Sequence, residues 1–384
     1  MSKRGSNLSV IAAALRRRVE RFFGHERDYF PGTPPGLALS PSARHFADYE
    51  TAPLALRFSE QGGDVAHWQA TARAKLTELS GYCRESKPPK IAHESTPPLP
   101  EGLSRRSVYL NVRNGLDIPV HLVAPLGQRK LRPVMICLQG TNSGAHLSWG
   151  EARFPADHAL VGQGYDLAIQ AAKRGYLAVA VEQNCFGERA ERQIDPRSAA
   201  PCVDATMHSI LLGRSLIGER GSDVSAVIDW LEAEHRSLGI DVKNIHVMGH
   251  SSGGSVALFA AALDTRISAV LACGCVGYIR DTIGRRRDDQ GQNVIPGILN
   301  WLEMADIVGL VAPRPFVTVA GETDHIWPAA GCVAVIGEAK AIYAKCNAAD
   351  RLFGVTEPGG HKFRPEASWK AFFSAVPAPH GEIR

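Results

Sequence analysis

The sequence predicts an α/β protein: a mostly parallel central sheet with helices on both faces, an N-terminal helical extension and a lid-like insertion. Three observations lead there. From Val134 onward, short apolar strand patterns alternate with helical ones, as parallel sheets require. Gly249-His250-Ser251-Ser252-Gly253 fits G-x-S-x-G where a strand should hand over to a helix. Residues 277–312 interrupt two apolar strands with a stretch rich in Arg, Asp, Gln and Gly.

Residues 1–104 carry two helical patterns. The first places Ile11, Leu15, Val19 and Phe22 on one face. The second carries Trp68, Ala72, Leu76 and Leu79 and stops at Gly81. Pro31-Gly32-Thr33-Pro34-Pro35 and Pro97-Pro98-Leu99-Pro100 are loops. We read 1–104 as an extension packed on the main domain, 105–384. Ser107–Val112, Asn114-Gly115 and Ile118–Val123 read as a hairpin. Val134–Leu138 is a strand, Asp166–Lys173 a helix ended by Gly175, and Leu177–Val181 the next strand. Met207–Ile217 and Val224–Glu234 read as helices, and Ile245–Met248 as the strand entering the G-x-S-x-G turn. Gly254–Ala262 is small and apolar, as a buried helix would be. Ile267–Cys275 and Phe316–Ala320 are further strands, with closing helices at Ala330–Lys345 and Glu366–Phe373. Active-site loops of such sheets sit at the carboxyl ends of the strands, so the 277–312 insertion should border the site as a lid or wall.

Composition narrows the class. The 384 residues are 45% hydrophobic and 21% charged, as in soluble globular proteins. A net charge of +4, from 43 basic and 39 acidic residues, is too balanced for a nucleic-acid partner. Arg16-Arg17-Arg18 and Arg285-Arg286-Arg287 read as solvated faces or local ion-pair sites. No run is long and apolar enough to span a bilayer, and Val10–Leu15 is too short for a signal-peptide core. Reduced thiols in the cytoplasm are therefore the expectation for the 8 cysteines. Cys137, Cys273 and Cys275 fall in buried strands, and nothing in the sequence supports a Cys185–Cys202 bridge. Cys273-x-Cys275 lacks metal-ligand spacing and no H-E-x-x-H occurs, so neither metal nor cofactor is expected. An exposed N-terminal helix could serve a homo-oligomer.

A serine hydroxyl needs a base, and the base needs an orienting carboxylate. Asp324 follows the strand Phe316–Ala320, and His361 sits on a late glycine-flanked loop. Ser251, Asp324 and His361 are thus the candidate nucleophile, orienter and base. Glu322 is the rival acid; His325 and His250 are the rival histidines, while His208 and His246 read as structural. The developing oxyanion needs donors. The expected ones are the backbone N–H of Ser252 and that of Thr141, in the loop Gln139-Gly140-Thr141-Asn142-Ser143-Gly144. No phosphate-loop pattern occurs there.

These residues, in the chain order Ser–Asp–His, resemble the α/β-hydrolase superfamily. The resemblance is to its acetylxylan-esterase-like or dienelactone-hydrolase-like branch and covers about residues 105–375. Its motifs are Leu138-Gln139-Gly140-Thr141, Glu182 with Phe186-Gly187-Glu188-Arg189, and Gly213-Arg214-Ser215-Leu216-Ile217-Gly218-Glu219-Arg220. Gly249–Gly254, Ala312-Pro313-Arg314-Pro315 and Gly360-His361 complete the set. The resemblance implies an α/β-hydrolase fold and a serine esterase that forms an acyl-enzyme on small-molecule esters, often of short acyl groups such as acetate. Two departures stand out: polysaccharide deacetylases are commonly exported, and dienelactone hydrolases proper use cysteine where residue 251 is serine. Gln139, Glu182 and Arg189 are candidates for the substrate pocket, with a structural ion pair as the alternative for the last two. The same triad could serve C–C, thioester or amide hydrolysis, and a non-catalytic binding scaffold is the remaining alternative.

Overall fold

The computed structural model describes residues 34–379 apart from 35, 38, 62, 100–101, 113–114, 128–130, 192–200 and 286–290. The expected helix through Ile11, Leu15, Val19 and Phe22, the arginines 16–18 and 286–287, and Asn114 lie outside the described residues. The chain divides into two compact units, Met1–Ala47 and Asp48–Arg384. The described part of the first is a loop from residue 34 and the opening of helix α1 (Pro41–Glu50). Everything below concerns the second.

Its sheet runs β1 (Lys90–Ser95), β2 (Leu103–Val112), β3 (Leu116–Pro125), β4 (Arg132–Leu138), β5 (Leu177–Val181), β6 (Ile240–His250), β7 (Ile267–Cys273), β8 (Phe316–Gly321) and β9 (Leu352–Glu357) along the chain. In space the order is β1-β2-β3-β5-β4-β6-β7-β8-β9. The expected hairpin pairs Leu103 with Pro125 through Val112 with Leu116. β1 to β3 and the β3–β5 pair are antiparallel, and every later pair is parallel.

Both sheet faces are covered, which is why the central strands read as unbroken apolar runs. The two-residue period sends Val134, Ile136 and Leu138 of β4 into one core and Met135 and Cys137 into the other. The main helices, in chain order, are α2 (Val65–Ser80), α3 (Pro155–Gly162), α4 (Leu167–Lys173), α5 (Pro201–Leu211), α6 (Leu216–Ala233), α7 (Ser252–Leu263), α8 (Met304–Gly309), α9 (Ala329–Lys345) and α10 (Pro365–Ala375). Residues of α2, α6, α7, α8 and α9 fill the first core; those of α4 and α10 fill the second. Among the described residues no helix is long and apolar enough to cross a membrane. All eight cysteines are free thiols.

Three features depart from the sequence reading. β1 went unread: its six residues are all exposed, so no hydrophobic alternation marks it. The helix expected over Met207–Ile217 is two helices. Gly213 turns left-handed at φ 69°, and Ser215 starts α6 by accepting the Gly218 N–H at 3.1 Å. The 277–312 insertion is only half wall. Leu302, Met304, Ile307, Val308, Leu310 and Val311 in its second half are buried in the first core. Arg285, ahead of the undescribed stretch, pairs with Glu50 at 2.7 Å.

Helix α2 is bolted into the same core. Asp64 caps it by accepting the Ala66 N–H, and Gly81 ends it in the left-handed conformation. Trp68, Ala72 and Leu76 face inward. Gln69 donates to the carbonyls of Gly309 and Ala312, and Arg73 to those of Ala262 and Leu310. Trp68 packs edge-on against Phe58 and donates its indole N–H to Leu56 O at 2.8 Å. Trp68→Ala should therefore cost about 4 kcal/mol. A denaturant midpoint equal to wild type would show that α2 contributes nothing to the core.

Candidate active site

Strand β6 runs straight into α7, and Ser251 stands at the corner. Its backbone has φ 57° and ψ −125°, a conformation that side-chain-bearing residues rarely adopt. Room for this corner comes from two glycines. A methyl on Gly253 would lie 2.2 Å from Leu138 O, and one on Gly249 would lie 2.3 Å from Gly253 O. The Ser251 N–H is held by Cys273 O at 2.9 Å.

The structure brings Ser251, His361 and Asp324 together. Ser251 Oγ lies 2.9 Å from His361 Nε2, and His361 Nδ1 lies 2.7 Å from Asp324 Oδ2. A carboxylate can only accept, so Nδ1 carries the proton and Nε2 is left to accept from the serine. Asp324 Oδ1 accepts the N–H groups of Ile326 and Trp327 at 2.8 and 2.9 Å. Burial alone would raise its pKa, but His361 and these two amides hold it below the usual carboxylate range. The rivals stand elsewhere: Glu322 and His325 are exposed. His250 is buried behind His361, ring centroids 4.8 Å apart, with its Nδ1 3.4 Å from the Tyr165 hydroxyl. Burial, and then the neighbouring His361, push its pKa down to about 3. His246 is buried between Tyr176 and Phe372.

The loop after β4 passes directly over the corner: a methyl on Gly140 would lie 3.3 Å from Ser251 Cβ. Thr141 follows, exposed, and none of the described backbone hydrogen bonds uses its N–H. Ser252 is the first residue of α7, where helix N–H groups have no partner within the helix.

Gln139 and Glu182 are buried against each other, whereas Arg189 lies at the edge of a cavity it shares with Tyr109, Asn184 and Glu188. Glu182 is 2% exposed, and its Oε1 accepts from Gln139 Nε2 at 2.9 Å and from the Ala145 N–H at 3.0 Å. Arg189 donates to the Glu182 carbonyl and forms a buried ion pair with Asp223 at 2.7 Å. These residues brace the loop from behind. Ser143, His146 and Asp157 form a second buried Ser–His–Asp group. Both partners meet the same ring nitrogen, Nε2, so this histidine cannot pass a proton from one side to the other and serves as a brace. Sequence reasoning missed two further polar residues beside the loop. Gln292 of the insertion donates to Thr141 Oγ1 at 2.9 Å, and fully buried Arg220 donates to Gln292 Oε1 at 3.1 Å. Gln292 has no motif around it; Arg220 lay in a quoted motif, but only its burial reveals its place.

Burial raises the Glu182 pKa to about 7 from an ordinary 4.5. Between those values the folded protein keeps a proton that the unfolded chain has released. The stabilisation is complete below pH 4.5, is lost as pH rises and levels off above pH 7, an effect of about 3 kcal/mol. The Glu182→Gln variant lacks this dependence. Unfolding free energies of the two proteins should therefore converge or cross by that amount between pH 4.5 and 7.5; a constant difference would remove the assignment.

Residues 63–329 match the sequence model of the Abhydrolase family. A candidate hydrolase of Bacillus subtilis (strain 168), YtaP, is 27% identical over 192 residues. That match takes in 49% of this chain and 60% of YtaP, less than two thirds of its length. Among solved structures, a candidate acetyl xylan esterase of Bacteroides fragilis NCTC 9343 is similar with a TM-score of 0.67 at 18% identity, over 91% of this chain and 92% of its own. A glucuronoyl esterase of Teredinibacter turnerae T7901 is similar with a TM-score of 0.59 at 18% identity, over 93% and 97%. At such identities the likeness speaks for the fold. The family match covers well over half of the chain, and the strand order and elbow agree with it: the chain belongs to the Abhydrolase family and has the α/β-hydrolase fold.

Proposed function

We propose that this protein is a serine hydrolase that cleaves small-molecule carboxylic esters, of short acyl groups, through an acyl-enzyme. The observation that carries the reading is the 2.9 Å contact between Ser251 Oγ and His361 Nε2, on a strained corner and backed by Asp324. His361 takes the Ser251 proton as the hydroxyl attacks the ester carbonyl. Asp324 keeps the imidazole in the receptive tautomer and stabilises the imidazolium. The Ser252 and Thr141 N–H groups stabilise the oxyanion. His361 then returns the proton to the departing alcohol. A water, deprotonated by the same nitrogen, attacks the acyl-enzyme and releases the acid. The names of the structural neighbours, which describe esterases, support the choice of bond.

Hydrolysis of p-nitrophenyl acetate should fall about 10⁴-fold or more in Ser251→Ala, and a fluorophosphonate probe should label wild type at Ser251 alone. Asp324→Asn keeps the shape but permits the wrong tautomer, and should lower kcat by about 10³- to 10⁴-fold. A full rate in Ser251→Ala would sink the nucleophile. Faster turnover of thioester, amide or C–C substrates than of any ester in a chain-length series would replace the bond assigned here.

A further inference from the structure

We propose that the Thr141 hydroxyl, as well as its backbone, donates a hydrogen bond to the oxyanion, and that Arg220 and Gln292 fix the direction of that donation. The inference rests on the esterase reading above and concerns the same site. It follows from which atoms can donate and which can only accept.

Arg220 is 1% exposed, its guanidinium 4.9 Å from the Phe186 ring centre. It donates to Gln292 Oε1 at 3.1 Å, to Asn184 O at 2.8 Å and to Cys202 Sγ at 3.4 Å. Among the described residues it forms no ion pair. A guanidinium has only donors, so the Gln292 atom facing it must be the oxygen. The other end of that amide is then NH₂, which also only donates. Its partner, 2.9 Å away, is Thr141 Oγ1. The hydroxyl oxygen must therefore accept, and its one proton must leave in another direction.

The structure gives that proton no acceptor among the described residues. Gln292 is 2% exposed, whereas Thr141 is exposed. The free proton thus emerges on the open side of the loop whose preceding residue, Gly140, touches the Ser251 corner. A buried cation with no ion pair among the described residues, at the far end of the chain of donors, polarises both hydrogen bonds toward Thr141 and strengthens the terminal donor. Arg220 and Gln292 act only through Thr141 and are positioning residues.

The test uses the full chain and p-nitrophenyl acetate. Thr141→Val keeps the shape and the backbone N–H but removes the donor, and should lower kcat on the order of 100-fold with KM little changed. Thr141→Ser should recover most of the loss. Gln292→Glu is nearly isosteric and keeps an acceptor toward Arg220, but its carboxylate takes the Thr141 proton for itself. Its kcat should fall about as far as that of Thr141→Val, and the double variant Thr141→Val/Gln292→Glu should fall no further. Wild-type kcat in Thr141→Val or in Gln292→Glu would overturn the inference, as would multiplied losses in the double variant. Thermal unfolding identifies a variant that has lost its fold; Gln292→Glu then decides alone, since its fold is judged independently. Failure of the esterase reading looks different: wild type itself would be inactive on esters, or Ser251→Ala would match it.

Discussion

The site depends on one constraint: β4, β6 and α7 must meet without side chains between them. Gly253 lies against the Leu138 and Gln139 carbonyls, and Gly249 against Gly253 itself. Only that closeness lets the loop after β4 pass over Ser251. The corner costs ~1–3 kcal/mol in backbone strain. Helix α7 offsets it, since all of its residues are buried, and so does the Cys273 carbonyl that holds the Ser251 N–H. Strain at the serine persists because the burial around it is too large to give up.

A second layer works by charge rather than by packing. The loop over Ser251 is irregular backbone and cannot satisfy its own polar groups, so buried side chains do it. Glu182 takes the Ala145 N–H and the Gln139 amide; Arg189 is neutralised by Asp223 and holds the Glu182 carbonyl. Such groups are poor investments for stability alone, because removing a charge from water costs several kcal/mol. Their value is directional. Each fixes which way a neighbouring donor points, and a site that must stabilise a developing charge needs its donors aimed before the substrate arrives.

This division explains what could be read from the sequence. Ser251 is a local pattern, five residues between a strand and a helix, and it was legible at once. Asp324 and His361 needed only chain order and the rule that functional loops follow strands. The parallel strands announced themselves as apolar runs. Gln292 and Arg220 had no such signal. Their partners lie 151 and 72 residues away, and their surroundings are loops or a helix whose apolar residues dominate the pattern. Gln139, Glu182 and Arg189 read as pocket candidates, and the partners the structure gives them are protein groups. Polarity marks a residue as a partner without saying whether that partner is substrate or scaffold. The exposed edge strand β1 fails for a related reason: with no buried face, it has no period.

His250 shows the two layers acting on one residue. It is the variable position of the G-x-S-x-G pattern, yet its ring lies 4.8 Å from that of His361, with Tyr165 between it and the amide of Phe363. In the proposed reaction His361 becomes a cation each time Ser251 attacks. A second imidazolium at that distance would oppose it and cancel much of what Asp324 supplies. Burial removes the conflict, because a pKa pushed down to about 3 keeps His250 neutral at neutral pH. The same apolar enclosure that secures the corner thus leaves His361 as the group that gains charge, with Asp324 as the carboxylate it faces.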